Sequence, residues 1–403
     1  MMRARVSSES RSCRAAASAL ALAFALAALC ADAAGPLAKL DVLRGAGQMA
    51  GFRQALAPRE FQFPLDHGPH PEYRYEWWYV TGNLDATTGE RFGFELTFFR
   101  FALAPPGANA SGDPVGAPGA LQAGTDGISR WRTRQVYLAH FAITDVARRE
   151  FRFAQKYSRE ALGLAGARAE PFRVWIDDWR LGVDAAGGRQ GGWKLHADAQ
   201  DYELSLDAQL LVAPVLNGER GLSRKSDEPG AASYYYSIPR IAVHGQIKRG
   251  AHAFDVQGLA WLDREWGSGA LGRRQQGWDW YALQLQDGGT LMFYALRDKD
   301  GTRDSHSAGT WVDSSGTGHS LSSADVRIDV SDYWTSPHGG RYPSRWRLRV
   351  PLIGLDAAIH PVLANQELGT QPRYWEGAVD VRGTKAGLNT FGRGYVELVG
   401  YGE

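Results

Sequence analysis

Residues 262–285 of the sequence place several acidic side chains beside tryptophans. Asp263 and Glu265 flank an arginine and precede a tryptophan, and Asp279 stands between Trp278 and Trp280. Charges next to large aromatic rings are costly to bury unless they are paired. The stretch therefore indicates either a structural network of ion pairs or the wall of a functional pocket.

Asp279 is the first candidate for chemistry. Strand alternation places Asp279 and Tyr281 on one face with Leu283 and Leu285, and we expect this face to line an apolar cavity inside a barrel. Burial favours the neutral form of a carboxyl group, and a neutral acid there could protonate an alkene, after which water captures the cation. Asp279 and Tyr281 are thus predicted catalytic residues.

The alternative for Asp279 is an ion pair with Arg264 or Arg273. Alternation sets Arg264 on the face opposite Asp263 and Glu265, and the stretch that carries them is expected to be structural because buried charges need partners. Arg264 is also a candidate ligand contact.

Glu76 is a candidate for a second cavity acid, since it shares a strand face with Trp78. We predict that Glu76, Trp78 and the adjacent Tyr79 contact a ligand. The alternative is a salt bridge from Glu76 to Arg74 or Arg159.

Three further residues complete the candidate site. His140 lies in an apolar strand and is either a general base or a hydrogen-bonded core histidine. Tyr235 belongs to a run of three tyrosines that lines either a domain interface or the cavity. Trp280, on the opposite strand face from Asp279, is assigned to ligand binding.

No pattern in the sequence predicts a metal or a cofactor. His67 and His70 have a metal-like spacing but no third ligand nearby, and HExxH, phosphate-loop, dinucleotide and serine-elbow motifs are absent from the sequence. The two cysteines, Cys13 and Cys30, both lie near the N-terminus, so neither a disulfide framework nor a thiolate site is expected after them.

The N-terminus has the pattern of an export signal. A basic start is followed by a short alanine- and leucine-rich run and a small-residue cleavage pattern, which predicts a signal peptide over residues 1–33 and a periplasmic or secreted protein. Lipid anchoring through Cys30 is the less favoured alternative. A net charge of +1 gives no general attraction to nucleic acid.

The remaining chain predicts an all-β protein. Apolar residues alternate with polar ones in many short runs that end at glycine-rich turns. A Trp-Tyr strand followed by an apolar strand occurs twice, near residues 78 and 280, which indicates two related antiparallel barrel or sandwich domains in tandem. We place a lead-in at 34–58, the first domain at 59–240 and the second at 241–403.

The chain resembles the AttH/CrtC-like family. The resemblance rests on Asp66-His67-Gly68-Pro69-His70, Glu76-Trp77-Trp78-Tyr79-Val80-Thr81-Gly82, Ala139-His140-Phe141, Ser158-Arg159, Asp263-Arg264-Glu265-Trp266-Gly267-Ser268, Gly277-Trp278-Asp279-Trp280, Tyr374-Trp375-Glu376-Gly377 and Gly394-Tyr395-Val396-Glu397-Leu398. It implies that both domains are lipocalin-like. The family includes carotenoid 1,2-hydratases and exported proteins, some of which look like companions of ABC transporters.

Two functions follow as expectations. The first is an exported protein that binds a hydrophobic, lipid- or isoprenoid-like molecule inside its barrels, with ABC transporter components as partners. The alternative is a hydratase-like lyase, or an isomerase, with Asp279 as proton donor. Carbohydrate binding would need an exposed flat row of tryptophans. The sequence does not indicate an oligomeric state.

Overall fold

Antiparallel β-strands form almost all of the regular structure. The computed structural model describes residues 50–106, 133–183, 192–269 and 271–401. The predicted signal peptide and residues 34–49 of the predicted lead-in lie outside this range. The helical segments described are the 3-10 turns Leu65–His67 and Pro351–Ile353, and no helix in the described ranges is long and apolar enough to cross a membrane.

The first sheet contains thirteen strands. They are β1 (Tyr75–Ala86), β2 (Arg91–Ala102), β3 (Gln135–Asp145), β4 (Glu150–Arg159), β5 (Ala165–Ala169), β6 (Phe172–Ile176), β7 (Trp179–Val183), β8 (Trp193–Ala199), β9 (Tyr202–Leu210), β10 (Val215–Leu216), β11 (Leu222–Arg224), β12 (Ala232–Arg249) and β13 (His252–Gly267). Their order is β4-β3-β2-β1-β13-β12-β9-β8-β7-β6-β5, and the short β10 and β11 pair with β12. The sheet curls into a near-barrel.

The second sheet contains ten strands. They are β14 (Gln275–Leu285), β15 (Thr290–Asp298), β16 (Ala308–Val312), β17 (Gly318–Ser322), β18 (Arg327–Thr335), β19 (Arg341–Val350), β20 (Leu355–Pro361), β21 (Glu367–Leu368), β22 (Tyr374–Lys385) and β23 (Leu388–Val399). Their order is β17-β16-β15-β14-β23-β22-β20-β19-β18, with β21 paired to β22. The predicted all-β fold of two curled antiparallel sheets in tandem is confirmed.

The two predicted Trp-Tyr hairpins are present, one at the start of each sheet. β1 pairs with β2, and β14 pairs with β15. Gly89 and Gly288 lie in their turns with φ values of 98° and 90°, a left-handed conformation that glycine adopts without steric cost. The hydrophobic alternation and the turn residues therefore specify these hairpins together.

The sheets divide between β13 and β14, at residues 268–274. The boundary predicted at 240/241 falls inside β12, because β12 and β13 form one long hairpin that pairs back onto β9 and β1 of the first sheet. The repeat thus locates where each sheet starts, but it does not reveal that two late strands complete the first one.

Each sheet encloses its own apolar core. Trp78, Phe94 and Trp179 are fully buried in the first, and Tyr281 and Trp346 are buried in the second. At these described positions the space inside each curled sheet is taken up by packed side chains. The outward faces of β1–β3 pack against those of β14, β22 and β23, where two more aromatic clusters form. This interface between the sheets positions the candidate site.

Candidate functional site

An apolar cleft opens where the two sheets meet. It has about 820 Å³ of empty volume, counted with the solvent space at its mouth. The first sheet contributes residues from β1, β2, β12 and β13, and the second contributes residues from β14, β15 and β23. The cleft is lined by Tyr75, Trp77, Tyr79, Phe99, Lys225, Tyr235, Asp263, Glu265, Gly269, Leu271, Trp278, Trp280, Tyr294, Leu296 and Glu397.

Aromatic rings form most of the cleft wall. Trp77 stacks on Tyr75 with ring centroids 5.2 Å apart, and Tyr79 meets Trp280 edge to face at 4.9 Å. Alternation along β14 turns Trp278 and Trp280 outward to the cleft while the residues between and after them face the core of the second sheet. Such a surface suits a flat or apolar ligand.

Glu397 on β23 is one of three carboxyl groups that line the cleft in the described part of the chain. It pairs across the strands with Trp280, and its Oε2 accepts a hydrogen bond of 2.7 Å from Trp278 Nε1. Burial raises the pKa of Glu397 to about 7, the hydrogen bond from Trp278 opposes the rise, and the charges of Asp263 and Glu265 add to it. Near neutral pH this group can therefore both give and take a proton.

Asp263 on β13 is held by three donors. Its Oδ1 accepts from Ser237 Oγ at 2.5 Å and from Trp261 Nε1 at 2.7 Å, and its Oδ2 accepts from the Tyr235 hydroxyl. Burial raises the pKa of Asp263 to about 6, although these hydrogen bonds lower it. Tyr235 in turn accepts from Trp280 Nε1 at 3.1 Å, so Asp263 fixes a hydroxyl group at the cleft wall.

Lys225 and Glu265 form the ion pair of the cleft. Lys225 Nζ lies 3.2 Å from Glu265 Oε1 and donates to Ser223 Oγ at 2.9 Å. It also lies 4.1 Å from the centre of the Tyr294 ring. Burial disfavours the ammonium, but Glu265 outweighs this and raises the pKa of Lys225. Among the described residues that line the cleft, Lys225 is the one cationic side chain.

Two further carboxyl groups lie behind the cleft in the interface between the sheets. Tyr79 donates to Glu376 Oε1 at 2.5 Å, and both oxygens of Glu95 on β2 are buried without a described hydrogen-bond partner. Burial raises the pKa of Glu95 and of Glu376 well above the usual range. No group of three or more acidic, histidine or cysteine residues in the described ranges has the arrangement of a metal site.

Three of the predicted ligand-binding residues line the cleft, namely Tyr79, Tyr235 and Trp280. The structure places the other candidates elsewhere. Asp263 and Glu265, which the sequence assigned to a structural role, line the cleft as well.

Asp279 and Tyr281 belong to the interior of the second sheet. Asp279 accepts from Arg297 Nη1 at 3.1 Å and from the Tyr401 hydroxyl at 2.9 Å. An ion pair was the predicted alternative, but its partner is Arg297. Burial raises the pKa of Asp279, although Arg297 and Tyr401 lower it. Tyr281 packs edge to face on Trp346, so neither candidate catalytic residue reaches the cleft.

Glu76, Trp78 and Arg264 meet inside the first sheet. Glu76 Oε2 accepts from Arg264 Nη2 at 2.6 Å, Oε1 accepts from Arg100, and the Arg264 guanidinium lies 3.8 Å from the centre of the Trp78 ring. Burial raises the pKa of Glu76, but Arg100 and Arg264 prevail and hold it well below the usual range. A salt bridge was the alternative for Glu76, and its partners differ from the predicted Arg74 and Arg159.

His140 lies in the interface between the sheets and outside the cleft lining. Its Nδ1 is 2.7 Å from the Tyr374 hydroxyl, and its Nε2 is 2.5 Å from Gln155 Nε2. Burial lowers the pKa of His140 to about 3. The geometry matches the predicted alternative of a hydrogen-bonded, buried histidine.

Sequence reasoning gave no role to Glu397, Lys225 or Trp278. For Glu397 a signal exists, because the apolar Val396 and Leu398 face the core of the second sheet and alternation then turns Glu397 outward. Lys225 follows the short β11, where no periodic pattern indicates its direction.

Known structures share this architecture. A crystal structure of a protein assigned as AttH from Nitrosomonas europaea is 33% identical and has a TM-score of 0.72, covering 86% of this chain and 100% of that one. Kievitone hydratase from Nectria haematococca is 14% identical with a TM-score of 0.62, covering 87% and 96%; that similarity concerns the fold alone.

A curated sequence relative is dehydratase asqC of Emericella nidulans. It is 24% identical over 197 residues, which are 46% of this chain and 55% of the relative, so this chain spans about half the length of that protein. The model of the AttH-like family matches residues 54–401. With nearly all of the described sheets inside that match, the chain belongs to the AttH-like family.

Proposed function

We propose that the protein adds water to, or removes it from, an apolar small molecule held in the cleft between the two sheets. The observation that carries this proposal is Glu397, a carboxyl group with a pKa of about 7 in an aromatic wall. A general acid or base works best when its pKa lies near the working pH. Glu397 thus has the raised pKa that the sequence led us to expect for Asp279.

In the direction of dehydration, the Glu397 carboxylate takes a proton from the carbon next to the one that bears the hydroxyl group, and the electron pair of that C–H bond ends in the new C=C bond. Glu397 then gives the proton to the departing hydroxyl group as the C–O bond breaks, so that water is released. In the direction of hydration the same carboxylate takes a proton from the attacking water and then gives it to the neighbouring carbon of the former double bond. The Tyr235 hydroxyl, fixed by Asp263 and Trp280, can orient that water. The tryptophans of the wall hold the apolar body of the molecule and exclude other water.

The names of two relatives agree with this reaction class, since one is a hydratase and the other a dehydratase. Neither identifies the substrate of this chain. A protein that only binds a hydrophobic ligand would also use the aromatic cleft, so it is the second candidate. Export to the periplasm and an ABC transporter partner remain proposals that rest on residues 1–33 and on the family resemblance.

The test is incorporation of oxygen-18 from labelled water, followed by mass spectrometry. The panel contains kievitone and simpler apolar alkenes, and the reverse direction uses the matching alcohols. Because loss of a general acid or base costs roughly 10²- to 10⁴-fold, we expect Glu397→Gln to lose at least about 100-fold of the wild-type rate. We also expect the rate of dehydration to fall below about pH 7, where the carboxylate form of Glu397 is lost.

Asp279→Asn is the matched control, because it changes a carboxyl outside the cleft. It should keep the wild-type rate per folded molecule. Full activity of Glu397→Gln, or loss of activity in folded Asp279→Asn, would contradict the proposal. Tight binding without any label would favour the ligand-binding candidate.

A further inference from the structure

The ammonium of Lys225 is held rigidly at the cleft wall. The backbone N–H of Lys225 donates to the carbonyl of Ala231 at 2.8 Å, and its own carbonyl accepts from Gln275 Nε2 at 2.6 Å. The side chain packs against the faces of Tyr294 and Tyr235, 4.1 and 5.3 Å from the ring centres. Little side-chain freedom is left to lose when a ligand binds.

An ammonium group has three N–H donors. Two acceptors of Lys225 are described, Ser223 Oγ and Glu265 Oε1. Among the described residues no oxygen or nitrogen acceptor meets the third N–H, and Lys225 lines the cleft. A ligand oxygen can therefore complete its coordination.

We propose that the substrate carries a carbonyl oxygen that binds Lys225, so that the reacting alkene is conjugated to a carbonyl or the reacting alcohol lies β to one. This inference rests on the proposed hydratase or dehydratase function. A fixed cation disfavours a carbocation beside it, whereas it stabilises the negative charge that develops on the oxygen of an enolate.

Glu397 alone serves as both base and acid in this reaction. In dehydration its carboxylate removes the proton from the α carbon, and the electron pair moves to the carbonyl oxygen at Lys225. The enolate then re-forms the carbonyl and expels the β-hydroxyl, which takes the proton back from Glu397. The products are an α,β-unsaturated carbonyl compound and water, and hydration is the reverse.

The test compares two probes of nearly the same shape by equilibrium dialysis against the full chain. One is 4-phenylbut-3-en-2-one, and the other is the diene in which C=CH₂ replaces its C=O. A hydrogen bond to a charged group is worth on the order of tenfold or more in affinity. We therefore expect Lys225→Met to weaken binding of the ketone about tenfold and to leave binding of the diene unchanged.

Two further variants separate the outcomes. The double variant Lys225→Met/Glu265→Gln removes both charges of the pair, so no buried charge is left alone if the single variant unfolds, and it should show the same selective loss. An equal effect of either variant on the two probes would overturn the role of Lys225 while leaving the cleft as the site. Failure of both probes to bind, or binding that Trp278→Ala does not weaken, would overturn the proposed function as well.

Discussion

Replacing Glu397 with glutamine should make the protein more stable at alkaline pH. The folded protein holds the Glu397 proton up to a pKa of about 7, whereas the unfolded chain releases it near the ordinary value of 4.5. Between these two values the folded state binds more protons than the unfolded state. The free energy of unfolding of the wild type therefore falls as the pH rises through this window.

The size of the effect follows from the displacement of the pKa. Since one pKa unit corresponds to about 1.4 kcal/mol, the ionised carboxyl destabilises the folded state by about 3 kcal/mol above pH 7. Glutamine stays uncharged, and its side-chain oxygen can still accept from Trp278. We expect nearly equal stabilities at pH 4 and a variant that is about 3 kcal/mol more stable at pH 8.

Urea unfolding followed by tryptophan fluorescence at pH 4, 6 and 8 measures this difference. Glu170→Gln, at an exposed position, is the matched control and should follow the wild type at every pH. A variant that gains nothing at pH 8, or gains the same amount at all three pH values, would refute the assignment of a desolvated acid at the cleft.

Three other substitutions probe buried titratable groups. Glu76→Gln should lower the free energy of unfolding by about 3–5 kcal/mol, because it leaves two buried guanidinium groups without their carboxylate. In equilibrium unfolding, a decrease of less than about 1 kcal/mol would contradict that pairing. Glu95→Gln should raise the melting temperature at pH 8. The carboxyl group of Glu95 has no described hydrogen-bond partner, and its pKa lies well above the usual range. A lower melting temperature would contradict the absence of a partner for this carboxyl group. In the folded protein the pKa of His140 is about 3, whereas in the unfolded chain this side chain takes up a proton near pH 6.5, so the wild type loses stability as the pH falls below 6.5. The melting temperature of His140→Gln should therefore fall less than that of the wild type between pH 7 and pH 5. Equal falls would refute the burial of a neutral imidazole.

Local patterns in the sequence predict the strands and the hairpins well. Alternation assigns the inward residues of β1 and β14, and the turn glycines end those strands where the structure ends them. These features depend on neighbours a few residues apart. The limit of the first sheet depends on β12 and β13 pairing with strands far back in the chain, and no local pattern encodes that.

The candidate site was harder to predict for a related reason. Alternation correctly separates Asp279 from Trp278 and Trp280, but it does not say which face of the strand meets a cleft. The leucine-rich face of β14 makes the core of the second sheet, and the tryptophan face meets the other sheet. The cleft exists only because two outward faces pack together, so its residues are recognisable only after both sheets are placed.

Ion-pair partners show the same limit. Asp279 pairs with Arg297, and Glu76 pairs with Arg100 and Arg264. The sequence indicates that these acids need partners, because burial of an unpaired charge is costly. The identity of each partner depends on strand register, and the nearest arginine in the sequence is not the nearest in space.

The most direct test of the proposed site is to locate a bound ligand in the protein. A crystal of the protein soaked with the 4-bromophenyl form of the unsaturated ketone reveals the bromine through its anomalous scattering. We predict a bromine peak in the cleft, between the wall of Trp278 and Trp280 and that of Trp77, with the ketone oxygen toward Lys225. A peak inside either sheet, beside Tyr281 or Trp78, would contradict the claim that the interface between the sheets is the functional site.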